Sequence, residues 1–108
     1  MSYVPKQGDI LWITLDPQLG HEQKGRRPGL VISNDYFTKM TGLIILCPIT
    51  KTDNGFPLHL KLSGYNTYGY VMIEHVKSMD YNQRDVDYIE TLRQDDLIEV
   101  LSVLNACF

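Results

Sequence analysis

A chain of 108 residues, 44% apolar and 21% charged, has the balance of one folded unit with its own core and excludes a disordered polar chain. Its longest apolar runs, LIILC and VLSVL, fall far short of the roughly 20 residues needed to span a membrane as a helix. The net charge of −3 is uneven, with six Lys/Arg against four Asp/Glu in residues 1–51 and four against nine in residues 52–108, so an anionic partner is expected to meet the first half.

The opening MSYVPKQGD has no apolar signal core, and a soluble, cytoplasmic protein of a single domain spanning residues 1–108 is expected. Residues 9–15, DILWITL, are β-branched and aromatic and apolar on both faces, which predicts a strand buried on both sides with Trp12 in the core. DPQLG turns the chain. PGLVIS at 28–33 is the second strand, and Pro28 at its first position removes no ladder bond the strand needs. Ser33 or Asn34 caps a short helical turn over DYFTKM, which the TG at 41–42 ends.

LIILCPI at 43–49 is the most apolar run and the predicted central strand, followed by a polar loop, TKTDNG, at 50–55. LHLKL at 58–62 alternates as a half-exposed strand does, and SGYNTYG is its turn. YVMIEHVKSM at 70–79 reads as one or two further strands with a bend. The end is helical: Thr91 and Gln94 fit a capping box, Asp95 and Asp96 suit the positive first turn, and Leu97, Leu101, Leu104 and Phe108 share one face. Five or six short strands, long loops and a terminal helix predict a mainly β fold, a small curled antiparallel barrel whose loops are left free for chemistry. Cys47 and Cys107 lie in apolar contexts as reduced, packed thiols. They share no ligand spacing with His21, His59 or His75, so neither a metal site nor a cofactor is expected.

Two features carry chemistry. Arg27 precedes Pro28, whose ring confines the arginine backbone to extended conformations and aims its guanidinium, a permanently charged fork matched to two phosphate oxygens. Gly25 allows close backbone approach, and Glu22 and Gln23 are near enough to orient Arg26 and Arg27 or to meet a base edge. The alternative is a pair of solvated arginines bridged to Glu22. Thr50, the first polar residue after the central strand, has a hydroxyl positioned by the core, as a transition-state hydrogen bond requires, or is an ordinary strand-terminating threonine.

The order GDILWITLDP, then G-x-EQ-x-G-x-RP before an apolar strand ending in Ser, then PIT, then HVKSMD and a terminal helix resembles the MazF/PemK family of type II toxin–antitoxin toxins, from about Val4 to the end. The resemblance implies an SH3-like, homodimeric barrel and an mRNA interferase, a metal-independent endoribonuclease that cuts single-stranded RNA at a short sequence through attack of the 2′-hydroxyl, leaving 2′,3′-cyclic phosphate and 5′-hydroxyl ends. Carried onto this chain, the catalytic pair is Arg27 and Thr50, with the family glutamate at Glu22. Gln23, Lys24, Arg26, Lys51 and Lys77 are the candidate RNA contacts, and the loops at 17–25 and 51–56 are expected to read the bases, with Trp12, Phe56 or a loop tyrosine as stacking surfaces.

The implied partners are a MazE-like antitoxin, a second copy of the chain and, for the toxin–antitoxin complex, its own operator DNA. The chain departs from the pattern at His75, where a close relative would carry Gln, and at Glu74, which lacks an accompanying arginine. A non-cleaving toxin of the same fold, of the gyrase-poison type, and an RNA- or antitoxin-binding module are the alternatives. Gyrase poisons of this fold end in Trp-Gly-Ile, whereas this chain ends in NACF.

Overall fold

The structure, a computed structural model, describes residues 3–15, 26–53, 55 and 57–108. Three antiparallel strands form its centre: β1 (Asp9–Thr14), β2 (Arg26–Val31) and β3 (Ile44–Thr50). Ile10 faces Leu30 and Trp12 faces Pro28 across β1 and β2, while Gly29 faces Pro48 and Leu30 faces Cys47 across β2 and β3.

On its other edge β3 changes partner midway. Ile44–Leu46 pair with β6 (Lys77–Met79), whereas Ile49 and Thr50 pair with β5 (Tyr70–Met72), which in turn pairs with β4 (His59–Lys61). The predicted bend within 70–79 is a turn of 3₁₀ helix at Ile73–His75, and it is what carries the chain from one half of β3 to the other. All these pairings are antiparallel, as predicted, and they join the strands into one sheet.

The apolar runs of the central strands exist because both faces are covered. On one face Ile10, Leu30, Cys47, Ile49 and Val71 pack against Leu97, Val100 and Leu104 of the terminal helix α2 (Gln94–Ala106). On the other, Leu11, Ile13, Val31, Ile44, Leu46 and Met79 form a second cluster. Burial pushes the Cys47 thiol up to about 12, with the Glu74 charge adding to the effect, so it is a neutral packing group as expected. The short helix α1 (Asp35–Thr41) is bounded as predicted: Asn34 Oδ1 accepts the Phe37 N–H at 2.9 Å, and Gly42, at φ 74°, closes the end in a left-handed conformation.

Four expectations are corrected. A strand that sequence reading missed, β7 (Asp87–Thr91), pairs with β1, and Thr91 belongs to it rather than capping the helix. The Thr91 hydroxyl bonds to Asp9 Oδ1 at 3.3 Å, and the helix begins after Arg93 with no side-chain cap. Pairing with β1 outcompetes the local capping signal, helped by the strand preference of a β-branched residue. Cys107 and Phe108 lie beyond the last helical turn and are exposed rather than packed. Trp12 is 41% exposed, because on β1 it falls outside both apolar clusters. No helix among the described residues is long and apolar enough to cross a membrane.

Candidate active site

Continuing the Gly29–Pro48 register by two residues brings Arg27 level with Thr50 at the shared end of β2 and β3. Both line a concavity of about 790 Å³. Pro28 and Ile49 contribute from the same strands, Trp12 from β1 and Ile89 from β7, while Lys51 and Thr52 continue from the end of β3. Residues 66–68, from the turn joining β4 and β5, complete the lining. Among the described lining residues Arg26, Arg27 and Lys51 are charged and no carboxylate is present. The excess positive charge of the first half of the chain is concentrated here, in a protein whose net charge is −3.

The adjacent arginines differ in what holds them. The Arg26 guanidinium is ion-paired with Asp87 on β7, its Nε lies 4.0 Å from Asp85, and its Cζ sits 5.9 Å from the centroid of the Trp12 ring. The half-exposed indole is therefore covered by a cation that β7 fixes in place. Arg27, one residue on in an extended strand, is exposed, and no side chain among the described residues pairs with it. Among the described residues nothing occupies its donor fork, which is shaped to receive an anion.

Thr50 is pinned from several directions. It faces Tyr70 across the ladder, and its Oγ1 accepts the Thr52 N–H at 3.2 Å, which leaves the hydroxyl proton to donate elsewhere. Gly69, at φ 138°, rests against the Thr50 backbone so closely that a Cβ there would lie 2.3 Å from the Thr50 carbonyl oxygen. Only glycine allows that contact.

The profile of the PemK-like, MazF-like toxins of type II toxin–antitoxin systems matches residues 6–108. The chain belongs to this family. The endoribonuclease toxin MazF of Escherichia coli K12 is 32% identical over 103 residues, a match covering 95% of this chain and 93% of that one. Crystal structures of Deinococcus radiodurans proteins share the fold. MazF aligns with a TM-score of 0.84 at 36% identity, covering 98% of this chain and 97% of that one. A MazE–MazF complex aligns with 0.84 at 30% identity, covering 98% and 96%.

In this MazF/PemK toxin the expected site residues are placed unequally. Arg26, Arg27, Thr50 and Lys51 share the concavity. Glu22, Gln23, Lys24, Gly25 and Phe56 lie outside the described residues. Lys77 is not a lining residue: it faces Leu46 on the other half of β3, about 13 Å along the strand from Thr50 at the usual rise per residue. Glu74 is engaged by two histidines, His59 Nε2 at 2.7 Å and His75 Nε2 at 3.8 Å, and none of the three lines the concavity. Among the described residues no three His, Cys, Asp or Glu side chains converge as a metal site would require. Sequence reading allowed for a loop tyrosine without saying which, and overlooked Asn66 and Thr67; the structure puts Tyr68 and both of them in the lining. The signal available was the turn SGYNTYG itself, which spends two tyrosines on a polar connection.

Proposed function

We propose that this endoribonuclease toxin cleaves single-stranded RNA in the concavity at the end of β2 and β3, with Arg27 and Thr50 at the reacting phosphate and no metal ion. The observation that carries the reading is the pairing, among the described residues, of an exposed and unengaged arginine with a hydroxyl free to donate, both on buried strands and with no carboxylate among the described lining residues.

RNA supplies its own nucleophile. The 2′-hydroxyl gives up its proton and its oxygen attacks the adjacent phosphorus, the bond to the 5′-oxygen breaks, and that oxygen takes up a proton, leaving a 2′,3′-cyclic phosphate and a 5′-hydroxyl. The protein must align that attack and stabilise charge on the phosphorane oxygens. The Arg27 fork spans two of them and Thr50 donates to the reacting group. Arginine, with a pKa above about 12, is poorly matched to take the proton, so Arg27 acts as a stabiliser and Glu22 completes the catalytic set. Gln23, Lys24, Arg26 and Lys51 hold the strand, and Lys77 is a contact for RNA beyond the concavity.

The same cationic concavity suits an acidic and apolar segment of a MazE-like antitoxin, which would inhibit by occupying it, and the pair would bind its operator DNA. Two copies of the chain form a homodimer, in keeping with exposed apolar side chains such as Ile98, 56% exposed, and Tyr88, 51% exposed. A single toxin domain acting in the cytoplasm, where mRNA is met, is the simplest arrangement.

The test is cleavage of unstructured RNA in the presence of EDTA, with the ends of the products identified. Cyclic phosphate and 5′-hydroxyl ends formed at an undiminished rate are expected. Activity abolished by EDTA and restored by magnesium would remove the mechanism.

A further inference from the structure

The turn between β4 and β5 is fastened in an unusual way. Its base closes through the Leu62 N–H and Gly69 carbonyl at 2.9 Å, and its first half is held by Arg93, which stacks 4.2 Å from the Tyr65 ring centroid and donates to the Ser63 carbonyl at 2.6 Å. Its apex is held by one side chain. Glu90 of β7 accepts the Asn66 N–H at 3.1 Å, the Thr67 N–H at 2.7 Å and the Thr67 hydroxyl at 2.7 Å. Burial tends to raise the Glu90 pKa, but these three bonds outweigh it and hold the carboxyl below its ordinary value, as expected for a carboxylate satisfied by fixed donors. A break in the β1–β7 register between Ile10 and Leu11 accompanies a division of labour: Ile89 lines the concavity while Glu90 reaches the turn.

The consequence is visible in exposure. Thr67 is 8% exposed, locked beneath the apex, whereas Tyr68 beside it is 63% exposed and lines the concavity together with Arg27 and Thr50. A large ring kept in solvent by a clamp on its neighbour presents a π face to whatever occupies the concavity, and the Asn66 side chain adjoining it offers a donor and an acceptor.

We propose that Glu90 is a positioning residue for RNA: it fixes the Asn66–Thr67–Tyr68 turn so that Tyr68 forms a stacking platform for a nucleobase beside the scissile phosphate, which makes the turn a specificity element. This rests on the reading of the concavity as the RNA site. The strand ends cradle the phosphate, and the turn meets a base next to it.

The experiment uses the full chain and a randomised single-stranded RNA pool, with products sequenced and the rate followed against RNA concentration. Tyr68→Ala raises the half-saturating concentration by about 10-fold, the lower range of one base–aromatic stack, and broadens the cleavage profile, with the saturated rate within about 3-fold. Tyr68→Phe, which keeps the ring, recovers most of that loss. Glu90→Ala changes the same two quantities in the same direction, and the double variant is no worse than Tyr68→Ala alone because both act through one contact. If Glu90→Ala fails to fold, Thr67→Val deletes one of the three bonds and shows a smaller change of the same kind.

An unchanged profile and half-saturation in Tyr68→Ala, or additive losses in the double variant, overturn the proposal. Arg27→Lys separates the two readings. If it cleaves normally, the assignment of the concavity fails; if it is inactive while Tyr68→Ala behaves as wild type, only the role of the turn is lost.

Discussion

Two walls face the concavity, and different forces hold them. The wall carrying Arg27 and Thr50 is the end of strands whose inner residues, Leu30, Val31, Leu46 and Cys47, are fully buried, each large aliphatic contributing about 1.5–3 kcal/mol from burial. The wall carrying Tyr68 is a turn held by Glu90 and Arg93 through a few polar contacts, worth roughly 0.5–3 kcal/mol each depending on charge. Chemistry that tolerates little misplacement belongs on the first wall. The second can be refitted by one or two substitutions without disturbing the core, as a selectivity element must be.

The largest test of this division is Arg27→Lys. Lysine keeps the charge but loses the bidentate fork, so turnover falls by about 10²-fold or more while RNA affinity changes little. Single-turnover cleavage beside equilibrium binding measures both. Turnover near wild type would show that the strand wall supplies charge alone, and would erase the contrast with the turn.

The junction of the walls is Gly69, and its replacement by alanine is the next test. Its φ of 138° is hostile to any side chain, and the added Cβ would meet the Thr50 carbonyl at 2.3 Å. Backbone strain of about 1–3 kcal/mol is expected, and the chain must move Thr50 or the turn to relieve it. Gly69→Ala therefore melts several degrees lower and also loses turnover, because relief displaces one wall or the other. A variant that melts lower yet cleaves at the full rate would show that Thr50 does not depend on this contact.

What could be read from the sequence follows the same line between local and distant causes. The central strands were legible because burial on both faces leaves uninterrupted apolar runs, and α1 because Asn34 and Gly42 cap it within its own segment. The positions of Arg27 and Thr50 at strand ends were legible too, from Pro28 and from the polar residue closing LIILCPI. Thr91 misled because the capping pattern is local, whereas the strand it belongs to is set by pairing with β1, where it faces Asp9, 82 positions away. Trp12 looked like core by residue type, and only the fold sets it beside Arg26 and Asp87. The Glu90 clamp spans 23 or 24 positions and leaves no local pattern at all. The place of Lys77, a candidate RNA contact on the other half of β3, depends on the 3₁₀ turn at Ile73–His75, which no local pattern located.

The smallest effect separates the walls by acid. The Glu90 carboxyl titrates below its ordinary value of 4.5 in the folded chain, so its three hydrogen bonds favour the ionised form. A depressed folded pKa gives stability that is fully present above the unfolded value and is lost as pH falls through the folded one. Between pH 7 and about 5 the clamp is therefore complete, and below 4.5 it weakens as protons bind. Glu90→Gln has no such titration. At neutral pH it should be less stable than wild type by about 1 kcal/mol or less, after allowance for solvent screening of a partly exposed group. The two melting temperatures should then converge as the solution is acidified. Glu90 is the one ionisable group that differs between the two proteins, so the difference between their melting curves isolates its charge. Thr50 itself is held by uncharged groups, the Thr52 N–H and the Gly69 backbone, so Thr50→Val compared with wild type should show a stability gap that does not change with pH. If the gap for Glu90→Gln were also constant, the carboxylate would be acting by shape alone, and the turn would be held as the strands are, by packing.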